Sequence, residues 1–237
     1  MNEVPIEVVS ATRMSEQEFW ERSALGISLR RLAVNDRISF HVAFANRRGL
    51  STIYNERIRA ENGNQRVVFV HDDVWIDDYF FVDRIVAALK DFDVIGVAGN
   101  KRRIDRQPAW AFVNDSFTWD DRNNLSGAVA HGPNPFGAVT VFGPTPAECE
   151  LLDGVLIAAN RASLIRSNVF FDERFDFHFY DMDFCRSART AGLRLGTWPI
   201  CITHQSGGGF GSSAWRTRYA DYLAKWDNTT APRGNAG

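Results

Sequence analysis

The chain has 237 residues, 45% hydrophobic and 13% aromatic, enough to bury a sizeable core in one domain. Its 27 basic and 29 acidic residues leave a formal net charge of −2, so no global field draws it to nucleic acid or to an anionic membrane, and an anionic ligand has to be held locally. The cysteines, Cys149, Cys185 and Cys201, are odd in number and lack CxxC spacing, which argues against a disulfide framework or a zinc site and fits a reducing compartment.

Glu3 stands where a signal peptide needs basic residues, and no apolar run approaches the ~18 residues of a membrane span. The expected location is cytoplasmic, with room for peripheral attachment at the inner face of a membrane. Ile6 to Val9 reads as a short strand that stops at Ser10-Ala11-Thr12-Arg13. Ser15 and Glu18 then form a capping box in front of a helix carrying Phe19, Trp20, Leu25, Leu29 and Leu32. Ile38 to Phe44 suits a second strand, followed after Asn46-Arg47-Arg48-Gly49 by a helical stretch through Ile53, Tyr54 and Ile58. Val67 to Val70 is a third strand, ending in His71-Asp72-Asp73. Phe81, Ile85 and Leu89 recur at helical spacing, and Val94 to Ala98 is a fourth strand closed by Gly99.

Short apolar strands alternating with amphipathic helices predict a mostly parallel central sheet flanked by helices, with ligands at the C-terminal strand ends. From Asn100 to Glu150 the periodicity is lost in a stretch rich in Pro, Gly and Asn, with Trp110, Trp119, His131 and Phe136 scattered through it, and this reads as a functional loop or lid. The pattern returns at Leu151 to Ala158. Asp183 can cap a helix through Phe184, Ala188 and Ala191 that stops at Gly192, and Leu193 to Thr203 alternates like one or two strands. After His204 comes Gly207-Gly208-Gly209-Phe210-Gly211, mobile by composition. Leu223 and Trp226 fit a last helix, and Asn228 to Gly237 a disordered tail.

Two constellations carry chemistry. His71-Asp72-Asp73 places hard oxygen ligands at a strand end, which suits a divalent ion bridging phosphates; the plain reading is polar capping of the loop amides. In "FDERFDFHFYDMDFCRSARTAGLRLG", Asp172, Glu173, Asp176, Asp181 and Asp183 crowd among phenylalanines too numerous to be solvent-facing. A carboxylate there has a raised pKa suited to general-base work.

With "VVFVHDDV", "LLDGVLIAANRASL", "FDERFDFHFYDMDFCRSARTAGLRL" and "ITHQSGG", most of Ile6 to His204 resembles the metal-dependent glycosyltransferases of family 2. The resemblance implies a single-domain glycosyltransferase-A (Rossmann-like) fold over 1–227, with an acceptor-side loop region at 100–150. It implies Mn²⁺ or Mg²⁺ at Asp73, with Asp72 beside it, His71 in the first place of the family's Asp-x-Asp, and His204 as a further metal or phosphate ligand. Ser10, Ala11, Thr12 and Arg13 would line the nucleotide base, and the stretch holding Asn46, Ser51 and Asn55 would border the nucleotide. Asp153 and Gly154 would floor the acceptor side. Asp181 would be the general base, next to Tyr180, which stands where the family has an acidic residue, and Asp183.

The implied activity is inverting transfer of a sugar from a nucleotide-diphosphate sugar to a glycan or glycoconjugate acceptor, in polysaccharide or glycoconjugate synthesis. No nucleic acid is expected as a partner; a membrane surface or other biosynthetic enzymes are. Two rival readings use the same residues. His71, Asp73 and His204 match the two-His-one-carboxylate triad of non-haem iron oxygenases, which are built on an all-β barrel. Replacement of the family's acidic residues by His71 and Tyr180 suggests a nucleotide-sugar-binding module that has lost catalysis.

Overall fold

The computed structural model describes residues 5–227, and the tail expected over 228–237 lies outside them. The chain begins with β1 (Ile6–Ala11), α1 (Glu16–Arg22), α2 (Ala24–Leu32), β2 (Ile38–Ala43), α3 (Leu50–Arg59), β3 (Arg66–Val70) and β4 (Val74–Ile76). It continues through α4 (Phe81–Asp91), β5 (Val94–Gly96), β6 (Ala98–Asn100), β7 (Leu125–His131), β8 (Ala138–Gly143), β9 (Ala147–Glu148), β10 (Leu151–Leu152) and β11 (Leu156–Asn160). The last elements are α5 (Arg161–Arg166), α6 (Tyr180–Thr190), β12 (Leu195–Thr197), β13 (Ile202–His204) and α7 (Ser213–Asp227).

The Ser15–Glu18 capping box forms as expected, but the helix behind it is interrupted at Ser23, whose hydroxyl accepts from Gly26 N and starts α2 afresh. A first sheet runs β2–β1–β3–β11–β5–β12–β9, and a second runs β10–β6–β7–β13–β4 with β8 paired to β7. In the first, β2, β1 and β3 are parallel, as are β5 and β12, while β11 runs antiparallel to both β3 and β5. The second is antiparallel except where β13 joins β7. Both sheets are therefore mixed, which corrects the expectation of a mostly parallel one. The apolar run of β11 is buried from Leu156 to Ala159, and a run buried on both faces reads the same in either direction. Helix α3 packs on β1 and β3, α4 on β5 and β11, and α6 on β10 and β12.

The chain passes between the two sheets repeatedly, and three of these passages come together. It passes from β3 to β4 through His71–Asp73, from β5 to β6 through Val97, and from β10 to β11 through Asp153–Val155. These passages meet: Asp153 N donates to Ala98 O at 2.9 Å, and His71 N to Val155 O at 3.3 Å. Polar side chains on this seam face one another because the strand ends do.

Residues 100–150 do not form the irregular loop that the sequence suggests. They contain β7 and β8, which supply much of the second sheet, and β9, which edges the first. Strand periodicity is hidden there because β7, "LSGAVAH", is built of small residues around Gly127, whose φ of 95° no side chain adopts easily. On β8, Ala138 to Val141 are all exposed, so inward and outward positions do not alternate.

Helix α7 begins ten residues before the expected Leu223 and supports the entry to α6. Phe179, at φ 65°, holds a left-handed conformation that costs a non-glycine residue energy; its ring stacks on Tyr219 and Tyr222 at 5.5 and 5.2 Å. Asp183 lies inside α6, where its fully buried side chain takes Lys225 Nζ at 2.7 Å and Trp226 Nε1 at 2.9 Å. Lys225→Met should cost about 1.5–3 kcal/mol, the scale of a hydrogen bond to a charged group, and Asp183→Asn in the same chain should recover part of it. Urea denaturation of the three variants checks this; additive losses would contradict the pairing.

Candidate active site

Register brings the sequence-distant ligands together. Strand β13 runs antiparallel to β4 with His204 opposite Val74, so the imidazole reaches the residue before Val74, and His204 Nε2 lies 3.3 Å from Asp73 Oδ1. His71, Asp73 and His204 offer ligand atoms that all lie within 4.8 Å of one another. Beyond its approach to His204, buried Asp73 Oδ1 makes no hydrogen bond, and a buried carboxylate oxygen so little satisfied is suited to a cation. Burial works against the Asp73 carboxylate, but His204 and His71 outweigh it and hold its pKa down at about 2. For His204 burial again opposes charge, and Asp73 overrides it and raises the imidazole above its ordinary value. His71 is pushed down, chiefly by burial and also by His204, towards the neutral form in which an imidazole is a ligand.

Tyr180 sets the orientation of His71. Its hydroxyl donates to Gly154 O at 2.7 Å, so its oxygen accepts from His71 Nε2–H at 2.8 Å. That tautomer leaves the lone pair of His71 on Nδ1, an outer-partner arrangement typical of ligating imidazoles. Gly154 is required here: a Cβ would lie 2.4 Å from the Tyr180 hydroxyl oxygen.

His71 and His204 open onto a cavity of about 650 Å³ that is also lined by Asp153, Gly154, Tyr180 and Asp181. Asp181 Oδ2 accepts from Gly154 N at 3.0 Å and Oδ1 from Met182 N at 2.8 Å. Burial, with help from Asp153, raises its pKa to about 7. The sequence expectation of a perturbed carboxylate among aromatics falls on this residue and on Asp183. Asp172 pairs with Arg174 and Lys225, Asp176 with Arg218, and Glu173 accepts from Thr52 and Asn55. Asp153 accepts from Trp110 Nε1 at 2.9 Å and from Val155 N at 2.9 Å.

Because the folded pKa of Asp181 lies above the ordinary 3.8, folded protein holds the proton more tightly than unfolded chain. The resulting stabilisation is full below about pH 4 and lost as pH rises through about 7. Asp181→Asn should therefore gain stability over the parent progressively across that window. Melting temperatures of both proteins measured from pH 4 to 8 check the sign.

Other expected site residues are placed differently. Asp183 is not brought to the cavity, since Lys225 and Trp226 occupy it within the core. Ser10 is fully buried and donates to Val70 O, Ser51 to Phe175 O, and Asn55 exchanges two bonds with Phe171; these side chains tie strands and the 171–175 segment together. Thr12 is buried and accepts from Met14 N, and Asn46 closes a turn on Arg48. Backbone bonds from Ala45 N to Met14 O and from Asn46 N to Thr12 O bring this turn against the end of β1, where Ala11 is partly exposed and Arg13 exposed. Asp72 stands apart from the three-residue group and gives its carbonyl to Leu25 N.

The sequence reading assigned no role to His131, Trp110, Trp119 and Phe142, which line the same cavity. Their signal was present as aromatics without periodicity in a segment too irregular to assign. His131 lies opposite His204 in the β7–β13 ladder.

No protein-family model and no curated protein matches the chain. Solved structures do. GalNAc-T7 in complex with UDP, GalNAc and Mn²⁺ matches with a TM-score of 0.54 at 11% identity, over 96% of this chain and 50% of that one. TarS from S. aureus matches with a TM-score of 0.50 at 12% identity, over 94% and 39%. The chain has the glycosyltransferase-A fold. The mannosyltransferase PcManGT from Pyrobaculum calidifontis, with GDP-Man and Mn²⁺, matches at 17% identity over 94% and 63%, with a TM-score of 0.49. The chain thus spans between about two fifths and just under two thirds of the length of these structures. Within the glycosyltransferase-A fold, the sheet seam and the entry to α6 hold the residues whose sequence blocks carry the family resemblance. No helix among the described residues is long and apolar enough to cross a membrane.

Proposed function

We propose that this glycosyltransferase-A fold transfers a sugar from a nucleotide-diphosphate sugar to an acceptor hydroxyl with inversion, in the synthesis of a polysaccharide or glycoconjugate. The carrying observation is that Asp181, with a pKa near neutrality, opens onto the same cavity as His71 and His204, which group with Asp73. The solved GalNAc-T7 structure holds UDP, GalNAc and Mn²⁺, and that pairing of ligand and fold supports the reading.

The residues present fit a divalent cation. His71 through Nδ1, Asp73 through Oδ1, and His204 would hold it, and when bound it would supply positive charge to the leaving diphosphate. Tyr180 holds His71 in the ligating tautomer. Asp181 accepts the proton of the acceptor hydroxyl, its two backbone donors fixing the carboxylate in place. A single base acting on the acceptor for direct displacement inverts the anomeric centre. Two nitrogens and one oxygen favour Mn²⁺ over Mg²⁺, which prefers oxygen ligands. The nucleotide would lie by Ala11, Arg13 and the Asn46 turn, with Asp72 next to the metal.

We place the whole of 1–227 in one catalytic domain, with 100–150 on the acceptor side, and expect the protein to work in the cytoplasm or at the inner face of a membrane. The Gly207–Gly211 segment, which lies along the cavity up to Phe210, should close over bound substrates to exclude water. Hydrogen exchange in this segment should slow when donor and acceptor are both saturating; unchanged exchange would remove the lid role. The function itself is tested by incubating the protein with radiolabelled nucleotide sugars and Mn²⁺, and following transfer and product anomer. Metal-dependent nucleotide binding without turnover on any donor would favour the inactive module.

A second reading has one observation in its favour: His71, Asp73 and His204 do come together as two imidazoles and a carboxylate, the non-haem iron set. Oxygen consumption with Fe²⁺ and 2-oxo acids in place of nucleotide sugars would decide for it.

A further inference from the structure

We infer that the acceptor is an uncharged sugar unit, presented to Asp181 with an apolar ring face against aromatic side chains. This rests on the transferase reading above and specifies its substrate class. The first observation is charge. The cavity carries the carboxylates of Asp153 and Asp181, and neither a lysine nor an arginine is among the described residues that line it. In a chain with 27 basic residues, leaving the cations out of this space is a selective feature. A uronic acid or phosphorylated acceptor would bring a negative charge into a partly dehydrated space beside Asp153 and Asp181, where no lysine or arginine can pair it, the imidazole of His204 already faces Asp73, and the cation of the transferase reading is taken up by the diphosphate.

The second observation is the wall. Trp119, Phe177 and Phe210 line the cavity while remaining 54%, 52% and 43% exposed, so large aromatic surfaces are left uncovered there. Two of them pack on further aromatics. Trp119 lies nearly parallel to Phe142, with centroids 5.9 Å apart, and Phe210 packs edge-on against Phe112 at 5.2 Å. Trp110 is fixed through its bond to Asp153. A neutral pyranose matches both features: its C–H face covers an aromatic ring and its hydroxyl rim donates to carboxylates. The same Asp153 and Asp181 that offer an anion no counter-charge accept from hydroxyls.

The test uses the full chain with saturating Mn²⁺ and either UDP or GDP. Binding of neutral methyl glycosides and disaccharides of glucose, galactose, mannose and xylose is compared, by tryptophan fluorescence and saturation-transfer NMR, with that of the matched glucuronic and galacturonic acids. At least one neutral sugar should bind, and its uronic counterpart should bind about tenfold more weakly or worse. Trp119→Ala should weaken the neutral sugar by about tenfold, the scale of a lost aromatic stack, while leaving Mn²⁺–nucleotide binding unchanged. Thr140→Arg places a cation on an exposed cavity-lining position of β8 and should narrow the gap by favouring the uronate. Uronates binding as well as neutral sugars, or no sugar of either class binding while Mn²⁺–nucleotide binding persists, would overturn the inference and leave the transferase reading standing. Loss of Mn²⁺–nucleotide binding in the parent protein would instead remove that reading, and the inference with it.

Discussion

Asp181→Asn is expected to lower turnover by roughly 10²–10⁴-fold, the range associated with a positioned general base, while Mn²⁺-dependent nucleotide binding stays within experimental error of the parent. The asparagine keeps the shape of the carboxylate, can accept from only one of the two backbone N–H groups, and has no basic oxygen with a pKa near neutrality. The parent's turnover should rise with pH through about 7, as the base loses its proton, and the residual turnover of the variant should lack that limb. A structural role predicts another pattern: lower melting temperature and near-normal turnover of the folded fraction. Measuring turnover, nucleotide affinity and melting temperature on one preparation separates the two, and retained turnover excludes Asp181 as the base.

The second large effect belongs to Asp73. Removing its negative charge as Asp73→Asn takes away the carboxylate that faces His204 and would hold the cation, so nucleotide affinity in Mn²⁺ should fall by more than the ~10–100-fold that loss of an outer metal partner costs. With chelator present, parent and variant should bind nucleotide equally. Tyr180→Phe isolates the outer contribution. It frees His71 to rotate or change tautomer, and should weaken Mn²⁺ by about 10–100-fold while the nitrogen couplings seen by pulsed EPR of bound Mn²⁺ decrease. Unaltered couplings in Tyr180→Phe would show that His71 is not held as a ligand through this tyrosine.

Legibility of the sequence followed local physics. The Ser15 capping box, the β3 run Val67 to Val70 and the strand pair after Gly192 were readable because each is specified by neighbouring residues. His71, Asp73 and Asp181 stand out because charged groups beside apolar runs need a reason to be there, and the fold does bring His71, Asp73 and His204 together beside a cavity that Asp181 also lines. Strand direction was not, since the pattern of β11 contains no sign of its reversal. The 100–150 segment was not readable either, because its strands have small or outward-facing residues and gain their structure from partners far along the chain. Ser10, Ser51 and Asn55 show the opposite failure. A polar side chain near a site looks the same in sequence whether it faces a ligand or, as here, a buried carbonyl.

The seam where three of the chain's passages between the sheets meet gives the proposed metal ligands an unusual mechanical position. His71 and Asp73 hang between β3 of one sheet and β4 of the other, and His204 closes a strand of the second sheet alone, so a cation gripping all three would act as a rivet through both layers. Neither sheet could pull away without releasing it. Binding that requires both layers in register stabilises their joint fold by mass action, so added Mn²⁺ should raise the unfolding temperature of the two sheets together, and amides of β1 and β7, far apart in the chain, should gain exchange protection in parallel.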